Sequence, residues 1–239
     1  MEKENKRNEW YPLESNPKII NEYILSLGFD TSVFSFQELL SVESWAQGMI
    51  SKPVLGVLLA FPDGDNHKKF KKEQSEKIKE EGQELDKDLF YMHQYAGNAC
   101  GSVGIFHILG NLPQNQKDFI LKDSVIDKFY KDAKDQDWEQ RGHSFNNNDV
   151  IKRAHVKAVN NGDTEVDLEK VKHHYVSFVL HSGHLYELDG AKQFPINHGK
   201  CTEQSFLSDA LFVCQQFMSR DPGNSHFSIL VLAPPSYDF

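Results

Sequence analysis

The chain has 239 residues, with 39% hydrophobic and 12% aromatic residues, enough for one domain around a sizeable core. A formal net charge of -9 argues against nucleic acid as a partner, and three cysteines argue against a disulfide framework. The longest apolar run, near Val54–Phe61, is far too short to span a membrane. Residues 1–9 are charged, lack the apolar core of a secretory signal, and read as a disordered tail. Asn16 caps a helix with Pro17 at its first position, running to about Leu27, where Gly28 stops it. Phe34–Leu40 is a short apolar segment that fits no single element. Val54–Phe61 reads as a buried strand. Lys68–Lys87 alternates acidic and basic residues, so a charged helix or loop with a solvated face is expected. Leu89–Met92 leads into a helix ending near Gly110, and Phe119–Tyr130 and Trp138–Phe145 read as helical. Asn146–Lys172 is polar and reads as a long loop. His174–Gly190 reads as a hairpin, Phe206–Met218 as an amphipathic helix, and Phe227–Leu232 as a terminal strand.

The stretch with most chemistry runs from Gln94 to Gly104, with Cys100 among small residues just ahead of an apolar helical pattern. A cysteine at a helix N-terminus sits at the positive end of the macrodipole, beside unpaired backbone N–H groups. That setting favours the nucleophilic thiolate, and the same N–H groups can hold an oxyanion. Gln94 is near enough in sequence for its side-chain amide to add a second donor. The competing reading of Cys100 is an inert buried cysteine, the ordinary fate of this residue type.

The hairpin argues for the active reading. A two-residue turn at Ser182-Gly183 pairs His181 with His184, and Val176 with Asp189. His174 shares a face with Val176, which makes it diagonal to Asp189 and within reach. An imidazole backed by a carboxylate is what a cysteine nucleophile needs: the histidine stabilises the thiolate and protonates the leaving group, and the aspartate orients the ring. His173 faces the other side of the strand and is the lesser candidate. The bland alternative is a solvated histidine–aspartate pair at a strand end. Eleven histidines are present, yet their spacing fits no structural zinc pattern, and neither a metal nor a cofactor is expected.

Together these motifs resemble the ubiquitin C-terminal hydrolase family of papain-like cysteine proteases. The family pattern around the nucleophile is matched by Gln94, Asn98, Cys100 and Gly101. A second block is matched by His184-Leu185-Tyr186-Glu187-Leu188-Asp189-Gly190 and by Phe194-Pro195-Ile196-Asn197-His198-Gly199. Similarity extends to Trp10–Pro17, Pro53–Pro62 and Phe217–Pro222, nearly the whole chain. Ser102 stands where a threonine is usual. The resemblance implies an α/β fold: a papain-like α/β/α sandwich with a central antiparallel sheet flanked by helices and a knotted backbone. It implies a single catalytic domain over 10–239.

In roles, the resemblance implies Cys100 as nucleophile, His174 as general base and acid, Asp189 as orienting carboxylate, and Gln94 as oxyanion donor. Glu38 aligns with an acidic family position that pairs with an arginine of the ubiquitin tail. Asn98 and Gly101 fall on the substrate side of the motif. About 151–172 corresponds to a crossover loop straddling the cleft. Some 20 residues have a contour of at most ~70 Å, a ring ~20 Å across, which admits an extended chain and excludes a folded domain. The implied activity is a deubiquitinating thiol hydrolase. It cleaves small adducts or flexible peptides from the C-terminal glycine of ubiquitin through an acyl-enzyme thioester. The alternatives are a hydrolase acting mainly on another ubiquitin-like modifier, and a non-enzymatic protein that sequesters ubiquitin. The expected partner is ubiquitin, with no nucleic acid or membrane. The expected form is a cytoplasmic monomer, with the nucleus open.

Overall fold

A computed structural model describes residues 10–162 and 173–235. The expected tail at 1–9 lies outside the described residues. In chain order the elements are α1 (Pro17–Leu27), β1 (Ser35–Glu38), α2 (Ser44–Gln47), β2 (Gly56–Pro62), α3 (Asp65–Glu81) and α4 (Cys100–Gly110). A 3₁₀ turn (Gln114–Phe119) follows, then α5 (Val125–Ala133), α6 (Trp138–Asn146), α7 (Asp149–Asn160), β3 (His173–His181) and β4 (His184–Leu188). The chain continues through β5 (Ile196–Lys200), α8 (Phe206–Ser219) and β6 (Ser228–Ala233).

The six strands form one antiparallel sheet in the order β1-β6-β2-β3-β4-β5. β2 sits between β6 and β3, so both its edges are paired, and with a core on each face all seven of its residues are buried. Alternation sorts its side chains onto two cores. Leu58 and Ala60 join the core built by α1, α4 and the neighbouring helices. Val57, Leu59 and Phe61 join the core under α8. Helices on both faces of a central sheet make the expected α/β/α sandwich.

Local chemistry explains most boundaries. Asn16 accepts from Lys18 N at the start of α1, and Gly28 closes it at φ 102°, a left-handed position that suits glycine. In the hairpin, Ser182 and Gly183 both have positive φ, which matches the twist of the flanking strands. The register pairs His181 with His184 and Ser177 with Leu188. One more step along that register sets Val176 opposite Asp189, as the sequence predicts. α4 approaches the sheet closely at Gly104, where a Cβ would stand 2.8 Å from Leu58 Cδ1.

Two expectations need correction and one is sharpened. The helix expected over Phe119–Tyr130 begins only at Val125, because Asp123 takes φ 61° and Ser124 caps the helix by accepting from Asp127 N. Lys68–Lys87, expected as a charged helix or loop with a solvated face, is helical as part of Asp65–Glu81, stops at Gly82, and keeps that charged, solvated face. The loop expected over about 151–172 is half helix. Asn148 accepts from Val150 N and Ile151 N and starts α7, whose Ile151, His155 and Ala158 recur at helical spacing on its buried face. The rest of that segment, 163–172, lies outside the described residues. From Asn161 to Lys172 the contour is at most ~40 Å, so the ring estimated from the longer segment is too generous.

Candidate active site

Cys100 is the first residue of α4, buried, with 8% of its surface exposed. Ten successive residues of α4, Cys100–Leu109, are buried, so the helix is anchored against movement by packing on every side. Asn98 adopts φ 61° just before the helix, and its Nδ2 donates to the Trp10 carbonyl at 3.3 Å. That turn delivers the cysteine to the helix N-terminus, where free N–H groups converge.

The hairpin supplies the partners. His174 on β3 donates from Nε2 to Asp189 Oδ1 at 2.6 Å. That leaves Nδ1 for the thiol, and Cys100 is near enough to add to the field that favours the His174 cation. The His174 ring stands edge-on to Phe61 at 5.7 Å. Asp189 Oδ1 also accepts from Ala191 N at 2.8 Å. Its Oδ2 faces Lys71 Nζ at 3.4 Å. Tyr91, stacked on His107, shares its one hydroxyl proton between the carbonyls of Asp189 and Lys192, each oxygen at 2.7 Å. This bridge pins the turn after β4 to the chain that enters the nucleophile loop. Gln94 N donates to Gly190 O at 2.8 Å and strengthens the same tie.

Electrostatics favour a charged pair. Burial pushes the His174 imidazole down, but the Asp189 charge, its hydrogen bond and Cys100 outweigh it and raise the pKa to about 10. Burial alone would raise the Asp189 carboxyl. The His174 cation, with Lys71 and Lys192 behind it, holds it well below the usual carboxylate range. Cys201 and Cys214 are buried thiols pushed upward by desolvation, Cys201 to about 11. They carry no activated character.

Gln94 is half-buried beside the cysteine loop. Its Nε2 donates to Ala96 O at 2.9 Å, and its Oε1 has no hydrogen-bond partner among the described residues. An amide NH₂ has two hydrogens, so one stays available to an oxyanion. Glu38 is exposed at the end of β1, opposite Leu230. Gly101 is buried, with a built Cβ 3.2 Å from Leu13 Cβ and 3.4 Å from Tyr175. Its small size serves packing of α4 on the N-terminal segment. His173 is exposed, near His226, and makes no bond to Asp189. Among the described residues no group of three or more His, Cys, Asp or Glu is arranged to hold a metal ion.

Sequence reasoning missed the supporting groups. Lys71 touches Asp189, and Lys192 is buried with Glu187, whose other carboxylate oxygen takes His198 Nε2 at 2.9 Å. The one available signal lay in α3. His67, Lys71, Gln74 and Ile78 recur at helical spacing and are among the less exposed residues of an otherwise charged helix.

Residues 10–219 match the family model described as "Ubiquitin carboxyl-terminal hydrolase, family 1". A ubiquitin carboxyl-terminal hydrolase of Drosophila melanogaster is 35% identical over 224 residues, covering 93% of this chain and 96% of the relative. The ubiquitin carboxyl-terminal hydrolase isozyme L1 of Rattus norvegicus is 36% identical over 222 residues, covering 92% and 96%. Among solved structures, the Trichinella spiralis UCH37 catalytic domain bound to ubiquitin vinyl methyl ester superposes with a TM-score of 0.73. It covers 95% of this chain and 96% of that one at 20% identity, a likeness of fold.

Proposed function

The chain belongs to family 1 of the ubiquitin carboxyl-terminal hydrolases, and from that premise we propose that Cys100, His174, Asp189 and Gln94 perform the hydrolysis. The observation that carries this reading is the His174–Asp189 bond of 2.6 Å beside a cysteine at the first position of a buried helix. The Cys100 thiolate attacks the carbonyl carbon of the C-terminal glycine of ubiquitin. The oxyanion that forms takes hydrogen bonds from the Cys100 backbone N–H and the Gln94 amide. Protonated His174 gives its proton to the leaving group, and a thioester remains on Cys100. Neutral His174 then takes a proton from a water whose oxygen attacks the thioester carbon; the C–S bond breaks, ubiquitin leaves with a free C-terminal carboxylate, and the Cys100 thiolate and protonated His174 are restored. Asp189 holds the ring in place throughout.

Small or flexible leaving groups are the substrates that this reading favours. The limited chain length between α7 and β3 supports it, as does the family's crossover segment at this position. The test compares hydrolysis of ubiquitin carrying a short C-terminal adduct with hydrolysis of folded ubiquitin dimers. The adduct is cut and the dimers persist. Efficient cleavage of folded dimers removes the size limit, and failure to cut either substrate removes the activity.

A further inference from the structure

The outer helix α3 reaches the site with a polar face. Lys71 and Gln74 are three residues apart and so share one side of the helix. Lys71 Nζ lies 3.4 Å from Asp189 Oδ2, and Gln74 Oε1 accepts from Lys192 Nζ at 2.7 Å. Asp189 Oδ1 is committed twice, to His174 and to Ala191 N. Oδ2 is the remaining oxygen of a side chain that is 4% exposed, and Lys71 is the cation facing it.

The geometry points to Lys71 as a positioning residue for the histidine–aspartate pair: from α3 it fixes the second carboxylate oxygen and so sets the orientation and acidity of His174. This rests on the reading of His174 and Asp189 given under Proposed function. A carboxylate held at one oxygen swings about its Cα–Cβ and Cβ–Cγ bonds, and the ring bonded to it follows. Held at both oxygens, it becomes a fixed platform. The charge acts as well. Asp189 alone makes the imidazolium a weak acid, reluctant to protonate a leaving group. A cation on the far oxygen offsets part of that field and keeps the proton transferable.

Other groups face His174 and must be weighed. A cavity of about 70 Å³ beside the pair is lined by Asp63, His67, Lys71, Lys192 and Arg220 in addition to His174 and Asp189. Lys192 is committed to Glu187 and Gln74. The Arg220 guanidinium lies over the Phe70 ring at 3.6 Å and over Phe217 at 4.4 Å. Cys100 approaches His174 from α4, and His173, next to it on β3, is directed to His226. Besides His174 itself, Lys71 is thus the one cation among these in direct contact with the Asp189 carboxylate.

The test uses Lys71→Met, Lys71→Arg and Lys72→Met in the full chain. Lys72 carries the same charge on the same helix, is 78% exposed, and pairs with Glu76 at 3.9 Å. With a ubiquitin adduct as substrate, Lys71→Met moves the alkaline limb of kcat/KM upward by about half a pH unit. It lowers kcat about three- to tenfold with KM unchanged. Lys71→Arg restores both, and Lys72→Met behaves as wild type. An unmoved limb in Lys71→Met overturns the inference, and so does an equal shift in Lys72→Met, which would make the effect a remote field. A readout without turnover backs this up: the His174 ring titration by NMR, in Cys100→Ala protein, rises by the same half unit when Lys71 is Met. No rise there also overturns it. His174→Ala separates the two levels. If it keeps full activity, the underlying assignment of His174 fails. If it is inactive while Lys71→Met has the wild-type limb, only the role of Lys71 fails.

Discussion

Helices α4 and α3 flank the same histidine–aspartate pair and are built on opposite plans. α4 is buried nearly all round, closed in by the sheet and the helices around it, and it presents Cys100 at its first turn. α3 is charged, with three i,i+4 lysine–glutamate pairs on its solvent side, and meets the site through Lys71 and Gln74. On the proposed reading, the difference means that position and protonation are supplied separately. A nucleophile needs a rigid mount, which close packing provides. A tuned carboxylate needs charge nearby, which a half-exposed helix supplies without burying a lone cation.

The comparison breaks first at the residues it brings together. His174→Ala lowers turnover by several orders of magnitude, while His173→Ala is mild, as steady-state kinetics on a ubiquitin adduct will show. The reverse result would mean that the ring bonded to Asp189 is not the one that moves the proton. Gln94→Ala lowers turnover ~10²–10³-fold with little change in ubiquitin affinity, because its donor acts mainly on the oxyanion. A loss confined to affinity would assign Gln94 to binding instead.

The packing plan of α4 makes a second kind of prediction. Its Ser102 is hydrogen-bonded to His155 Nδ1 at 2.8 Å, and His155 Nε2 donates to Tyr11 O at 2.7 Å. His107, within α4, is also fully buried. Burial lowers the pKa of His155 and of His107 to about 4. The unfolded chain therefore binds more protons than the folded one between pH 6.5 and 4, and stability falls as pH falls through that window. The loss is on the order of a few kcal/mol by urea unfolding at pH 7 and pH 4.5. The His174–Asp189 pair works with the opposite sign: the raised histidine adds stability that is complete below pH 6.5 and lost as pH rises through about 10. Flat stability from pH 7 to 4.5 would show that the two buried histidines find other partners. The smallest effect is at the surface. Glu38→Lys weakens ubiquitin binding, most at low salt, and an unchanged affinity at low ionic strength removes this exposed residue from the tail contact.

The two helices also mark what was legible in the sequence. α1, the start of α4 and the register of the β3–β4 hairpin follow from caps, turn residues and period-two alternation, which act over a few positions. His174 and Asp189 are only 15 residues apart, so a correct turn was enough to join them. The Lys71–Asp189 contact spans 118 residues between two polar groups, and hydrophobic patterning is silent about such pairs. α7 hid behind its polar face, where Asp149, Lys152, Arg153, Lys157 and Asn160 masked the buried stripe of Ile151, His155 and Ala158. β5 escaped because Ile196–Lys200 has little alternation and is a strand through pairing with β4 and the bonds of Asn197 to Gln83 and Glu84.

The most direct test of the central claim is reaction with ubiquitin bearing a C-terminal electrophile, followed by mass mapping of the adduct. The account predicts one equivalent on Cys100 and none on Cys201 or Cys214, whose thiols are buried and protonated. Labelling that persists in Cys100→Ala protein would contradict it.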